Sequence, residues 1–124
     1  MFRLTPEIVD AIHDEVLNAH ELGGRALDKS LEGAMARVEN RLVYGMVADV
    51  YDLAALNAVV IATGHCFNDG HKRTAYRSME VCLEGNGVSP VWEAVEVGDL
   101  IIRVAQRLVD EDELAGWLRR QIGG

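Results

Sequence analysis

Apolar residues recur at helical spacing along most of the chain, and no alternation of apolar and polar residues reaches strand length. A first helix is predicted from the start signal Thr5 to Glu7 until Gly23–Gly24, with an apolar face at Ile8, Ile12 and Val16. A second helix is predicted to begin at Asp28 or Ser30, and Gly45 is predicted to bend or end it. Its apolar face carries Leu31, Met35, Val38 and Leu42.

The middle of the chain is its most apolar part. From Met46 to Thr63 the apolar residues surround most of the helical circumference, which predicts a central helix buried on several sides. Gly64 ends this helix, and after a short connection a fourth helix is predicted to begin near Asp69 and to end at 85–87. Two further helices have apolar positions at Leu100, Ile101, Val104 and Leu108, then at Leu114, Trp117, Leu118 and Ile122. The pattern predicts an all-α fold, a compact bundle of about six helices in one domain over residues 1–124.

Composition and charge narrow the classes of function. The chain has 124 residues and a formal net charge of −8, so a general affinity for nucleic acid is not expected. Its longest strongly apolar stretch, Leu53 to Thr63, is too short to span a membrane, and the N-terminal residues do not resemble a signal peptide. We therefore expect a cytoplasmic protein. Cys66 and Cys82 form no CxxC pair, and both are interpreted as structural.

One segment, His65 to Ala75, contains two of the four histidines and one of the two lysines. It places Lys72 and Arg73 in the first turn of a helix, where cations are unfavourable unless an anion such as phosphate is bound. Alternatively, these two side chains are solvated and pair with Asp69 and Glu80.

The spacing in this segment does not fit a P-loop. A zinc site built from His65, Cys66 and His71 lacks an evident fourth ligand. Asp69 is suited either to bind Mg²⁺ together with phosphates or to cap the following helix.

The segment resembles the core motif of the Fic/Doc family, which reads His-x-Phe-x-Asp/Glu-Gly-Asn-Gly/Lys-Arg. Lys72 and Tyr76 favour the Doc (death-on-curing) branch over the enzymes that transfer AMP. The resemblance implies a compact α-helical Fic/Doc fold and a toxin of a toxin–antitoxin pair. It also implies transfer of the γ-phosphate of ATP to a hydroxyl of a host protein, which in the Doc branch is elongation factor Tu.

The resemblance also implies a role for each residue of the motif. His65 is expected to be the general base, Phe67 a hydrophobic anchor and Asp69 the Mg²⁺ ligand. Lys72 and Arg73 are expected to be catalytic by neutralising charge on the transferred group. The expected ATP-binding residues are Asn68, Gly70, His71, Lys72 and Arg73. His71 departs from the motif, because the family has asparagine at this position.

The resemblance further implies two protein partners, a Phd-like antitoxin and a target similar to elongation factor Tu. An adenylyl or other nucleotidyl transferase of the Fic type is the alternative enzyme. A third possibility is a catalytically weakened binding module that acts through its antitoxin. Outside the motif, His13 and His20 are interpreted as surface or helix-end residues, and Trp92 and Trp117 as packing residues.

Overall fold

The computed structural model describes residues 1–27 and 29–123, and this part of the chain forms six α-helices without a β-strand. The helices are α1 (Pro6–Val16), α2 (Leu31–Val43), α3 (Val50–Gly64), α4 (His71–Gly85), α5 (Ala94–Ala105) and α6 (Glu111–Leu118). A short π-helical turn, Arg119–Gly123, follows α6. The all-α prediction with about six helices is confirmed.

Side chains cap the N-termini of most helices. Thr5 accepts a hydrogen bond from the backbone of α1, as predicted, and Ser30 does so for α2. The alternative start of α2, Asp28, lies outside the described residues. Asp110 is the N-cap of α6 and forms a capping box with Glu113 of its first turn.

Helix α3 is the centre of the molecule and packs against α2, α4, α5 and α6. Nine of its residues are buried: Leu53, Ala54, Ala55, Leu56, Asn57, Ala58, Val60, Ile61 and Ala62. Helix α1 packs on α4, and α4 packs on α3. Because only residues 65–70 connect α3 to α4, the end of α3 lies close to the start of α4. The prediction of a central helix buried on several sides is confirmed.

Three predicted helix boundaries are wrong. Helix α1 ends at Val16 and not at Gly23–Gly24, because Leu17 adopts an extended conformation. Helix α3 begins at Val50 and not at Met46, because the side chain of Asp49 caps it. Leu108 does not continue the apolar face of α5, since that helix ends at Ala105 and Leu108 is 66% exposed.

Within residues 1–27 and 29–123, no helix combines the length and the apolar character that crossing a bilayer requires.

Candidate active site

The site begins where α3 ends. His65 follows Gly64 directly and has a left-handed backbone conformation, with φ 50° and ψ 39°. A non-glycine residue rarely adopts this conformation, and it reverses the chain immediately after the helix. The imidazole is exposed and lies against the ring of His71, with 4.8 Å between the ring centroids. The imidazole of His65 therefore lies next to the side chain of His71, the first residue of α4.

The two residues that follow His65 are buried and anchor the connection between α3 and α4 to the rest of the protein. Cys66 and Phe67 are 2% and 3% exposed, and the Cys66 carbonyl accepts a hydrogen bond from the Ala26 amide at 2.8 Å. Burial raises the pKa of the Cys66 thiol, and this thiol donates to the Ser30 carbonyl at 3.5 Å. Phe67 therefore anchors the loop by its burial, as predicted, and Cys66 is a structural residue.

Asn68 is turned toward the segment that links α1 to α2. Its side-chain amide donates to the carbonyls of Gly23, Gly24 and Arg25 at 3.3–3.4 Å. These long contacts hold the two segments together. The nucleotide-binding role predicted for Asn68 stays a prediction.

His13 lies in the last turn of α1, as its interpretation as a helix-end residue predicts, but it is buried, at 1% exposure, so the surface alternative is wrong. Its ring stacks on Phe67 with 3.9 Å between centroids, and its Nε2 lies 2.6 Å from the carbonyl oxygen of Asp69. Since a carbonyl only accepts, Nε2 carries the proton and donates. His13 shares the buried stripe of α1 with Val9 and Ile12, and this helical spacing is the sequence signal that could have identified it.

Replacing His13 with alanine is expected to lower the free energy of unfolding by about 2–4 kcal/mol, because it removes a buried ring and leaves the Asp69 carbonyl without its donor. Urea unfolding followed by circular dichroism measures the change. His20→Ala is the matched control, since His20 is exposed and a surface change costs about 0.5 kcal/mol or less. Similar small losses in the two variants would show that the His13 contacts do not stabilise the loop.

Asp69 is held at both its backbone and its side chain. The backbone carbonyl accepts from His13, and Oδ2 of the carboxylate accepts from the Leu22 amide at 2.9 Å. The interpretation of Asp69 as the helix cap is wrong, because Gly70 occupies the N-cap position and makes no side-chain cap. Within the described residues only Oδ2 accepts a hydrogen bond, so Oδ1 is available to a cation.

The first turn of α4 presents backbone amides without a side-chain acceptor. Gly70 has φ 76°, and a Cβ there would lie 3.3 Å from a Leu17 methyl, so a side chain would strain this turn. His71 is the first helical residue and is half-buried, and burial lowers the pKa of its imidazole, with the charges of His65 and Lys72 adding to the effect. The uncapped backbone amides of this turn, with a neutral His71 beside them, form a small anion-binding site.

The two cations of the motif have different surroundings. Both are exposed, but Arg73 is held at the C-terminal end of α1. Arg73 forms an ion pair with Glu21, and its Nε donates to the Val16 carbonyl at 3.2 Å. The hydrogen bond from Arg73 holds the pKa of Glu21 below its usual value, so this carboxylate stays ionised. The sequence alternative that paired these cations with Asp69 and Glu80 is not what the structure shows.

A cleft of about 560 Å³ adjoins this turn between α1, α4 and α5. Lys72 and Arg73 lie at its edge, and its wall includes Val95, Ile101 and Ile102. Among the described residues no group of three or more His, Cys, Asp or Glu side chains is arranged for a metal ion. The structure therefore brings together His65, Asp69, Gly70, His71, Lys72 and Arg73 around one end of α4.

The comparisons with known proteins include this region and extend well beyond it. The model of the Fic/DOC family matches residues 3–83, which include α1, the connection after α3 and nearly all of α4. The protein kinase Doc of Escherichia phage P1 is 33% identical to this chain over 124 residues. The match covers 99% of this chain and 98% of that protein.

Proposed function

Because the chain belongs to the Fic/Doc family, we propose that it is a Doc-like toxin that transfers the γ-phosphate of ATP to a hydroxyl of a host protein. One observation carries this proposal. An exposed imidazole, His65, faces a helix N-terminus whose amides have no side-chain cap and whose first turn carries Lys72 and Arg73. A base next to an anion-binding turn is what phosphoryl transfer requires.

In this proposal His65 takes the proton of the attacking hydroxyl. The hydroxyl oxygen forms a bond to the γ-phosphorus, the bond from that phosphorus to the β,γ-bridging oxygen breaks, and ADP leaves. In the same proposal Lys72 and Arg73 neutralise charge on the transferred group, and the amides that follow Gly70 bind phosphate oxygens. His71, held neutral by burial, can donate one hydrogen bond to a phosphate where the family has an asparagine amide.

Asp69 is the residue that would hold Mg²⁺. A single carboxylate with one free oxygen suits this ion, which proteins bind through one or two carboxylates together with substrate phosphates. Bound there, Mg²⁺ would neutralise charge on the phosphates. His13 and Leu22 supply the orientation, since one donates to the carbonyl of Asp69 and the other to its carboxylate.

Labelled ATP tests which group is transferred. With a lysate as the source of target protein, γ-labelled ATP is expected to label protein and α-labelled ATP is not. Labelling from both nucleotides would identify the chain as a nucleotidyl transferase. Labelling from neither, with a folded protein, would support the weakened binding module.

The target proposed from the family is a protein similar to elongation factor Tu, whose modification would block translation. The proposed antitoxin is Phd-like and inserts an amphipathic helix in the cleft between α1, α4 and α5. Val95 and Ile102 expose 68% and 43% of their surface there, although both are large and apolar. A helix in this position would also cover Lys72 and Arg73, which line the same cleft.

Expression of the chain alone is expected to arrest bacterial growth, and co-expression of the small neighbouring reading frame is expected to restore it. Ile102→Asp should prevent this rescue while the toxin stays active, because it places a charge in the apolar wall of the cleft. Leu108→Asp is the matched control, since Leu108 is exposed but does not line the cleft. Harmless expression of the folded chain would contradict the toxin proposal, and rescue of Ile102→Asp would contradict this docking position.

A further inference from the structure

A second cleft, of about 330 Å³, lies on the α2 side of α3. Apolar residues of α3, Leu56, Val59 and Val60, form part of its lining, and its other residues are Arg37, Asn40, Arg41, Thr63, Arg107 and Glu111. It shares no lining residue with the cleft that contains Lys72 and Arg73. Its lining residue Thr63 lies in the last turn of α3, two residues before the proposed base His65.

The second cleft is positively charged although the chain carries a formal net charge of −8. Of its three arginines, Arg41 forms an ion pair with Glu111. Among residues 1–27 and 29–123, neither Arg37 nor Arg107 forms an ion pair with a carboxylate. Both guanidinium groups lie at the end of α3. Arg107 donates to the Thr63 carbonyl at 3.5 Å, and Nη2 of Arg37 is 4.0 Å from the position of a Cβ on Gly64.

Arg107 also has an unusual backbone. Its φ is 63°, and in the described chain His65 is the other non-glycine residue with a positive φ. It follows the C-cap of α5, where the amides of Arg107 and Leu108 bond back to Val104 and Arg103 at 2.9 Å. Glycine is the usual residue at this position of a helix end. The hydrogen bond from Arg107 to the Thr63 carbonyl is long, so it offsets little of the strain of the left-handed backbone. Stability therefore does not explain why this position is an arginine.

We propose that Arg37 and Arg107 bind an acidic segment of the protein that receives the phosphoryl group, and this inference rests on the proposed function. Guanidinium groups bind carboxylates through paired hydrogen bonds, and the apolar part of the cleft suits a neighbouring apolar side chain. The triphosphate has its own cations in Lys72 and Arg73, which line the other cleft. The second cleft thus selects targets that carry Asp or Glu close to the modified hydroxyl.

Direct binding of a peptide tests this inference without relying on catalysis. The probe is a fluorescent hexapeptide with a Leu-Thr centre and two glutamates on each side, and its glutamine counterpart is the control peptide. Fluorescence anisotropy is measured for the wild-type chain, Arg37→Gln, Arg107→Gly and Arg103→Gln. Arg103 is exposed, belongs to α5 and lies outside the second cleft, so its variant controls for loss of charge.

The wild-type chain is expected to bind the glutamate peptide, more weakly at high salt, and to bind the glutamine peptide poorly. Arg37→Gln and Arg107→Gly should each weaken binding about tenfold, whereas Arg103→Gln should not. The melting temperature of Arg107→Gly should stay unchanged or rise, because glycine relieves the left-handed backbone. A structural role for Arg107 would instead lower the melting temperature.

Several results would overturn the inference. They are absence of binding by the wild-type chain, equal binding by all variants, displacement of the peptide by ATP, and loss of binding in Lys72→Gln. The last two would place the acidic ligand in the nucleotide site. Failure of the proposed function gives a different result, in which the wild-type chain binds the peptide and transfers no phosphate to any protein.

Discussion

Replacing His65 with asparagine is expected to reduce phosphoryl transfer by about 10²- to 10⁴-fold, the usual contribution of a general base. Asparagine tolerates the left-handed backbone found at this position and keeps a polar side chain, but it cannot accept a proton at neutral pH. The rate is measured at saturating ATP and target protein. Growth arrest by the expressed variant should be lost in parallel.

The structure indicates that this substitution leaves the fold intact. The imidazole of His65 is exposed, and the contacts that anchor the connection are made by Cys66 and Phe67. The melting temperature of His65→Asn should therefore equal that of the wild-type chain. Transfer at the wild-type rate by the folded variant would rule out His65 as the base.

Replacing Asp69 with asparagine is expected to reduce phosphoryl transfer by about 10²-fold or more, because a bound metal ion supplies several kcal/mol of charge stabilisation. The amide oxygen of asparagine can still accept from the Leu22 amide, and the backbone carbonyl can still accept from His13. The substitution therefore removes the negative charge and preserves the loop contacts. Kinetics at increasing Mg²⁺ concentration measure the loss.

Calorimetry of ATP binding gives a second measurement for Asp69 that does not depend on turnover. The wild-type chain should bind ATP more tightly when Mg²⁺ is present, and Asp69→Asn should lose this difference. Asp112→Asn is the matched control, because Asp112 is an exposed residue of α6. An unchanged effect of Mg²⁺ on ATP binding by Asp69→Asn would show that Asp69 does not hold the metal.

The fold was predictable where burial alone decides the structure. The apolar residues of α3 and the inward residues of α4, such as Met79 and Cys82, are buried as their spacing predicts. The end of α5 was not predictable in this way. An arginine occupies the left-handed position that glycine usually takes, so the sequence contains no stop signal before Leu108.

The site was predictable only in part, because its residues come from segments distant in sequence. The connection 65–70 and the start of α4 are continuous, and their motif identifies them. His13 reaches the site through the packing of α1 on α4, and Glu21 reaches it from the segment that follows α1. No local pattern shows that these residues contact Asp69 and Arg73. Asp69 resembles a helix cap in sequence, and only the three-dimensional structure shows that Leu22 and His13 bind it instead.

The most direct test of the proposed function is mass spectrometry of a bacterial lysate incubated with the purified chain, Mg²⁺ and ATP. His65→Asn is incubated in parallel, so that modifications by kinases of the lysate are subtracted. We predict that the wild-type chain adds the mass of a phosphate to a hydroxyl-bearing residue of a target protein, and that His65→Asn does not. Addition of the mass of AMP, or the same modifications with both proteins, would contradict the proposed function.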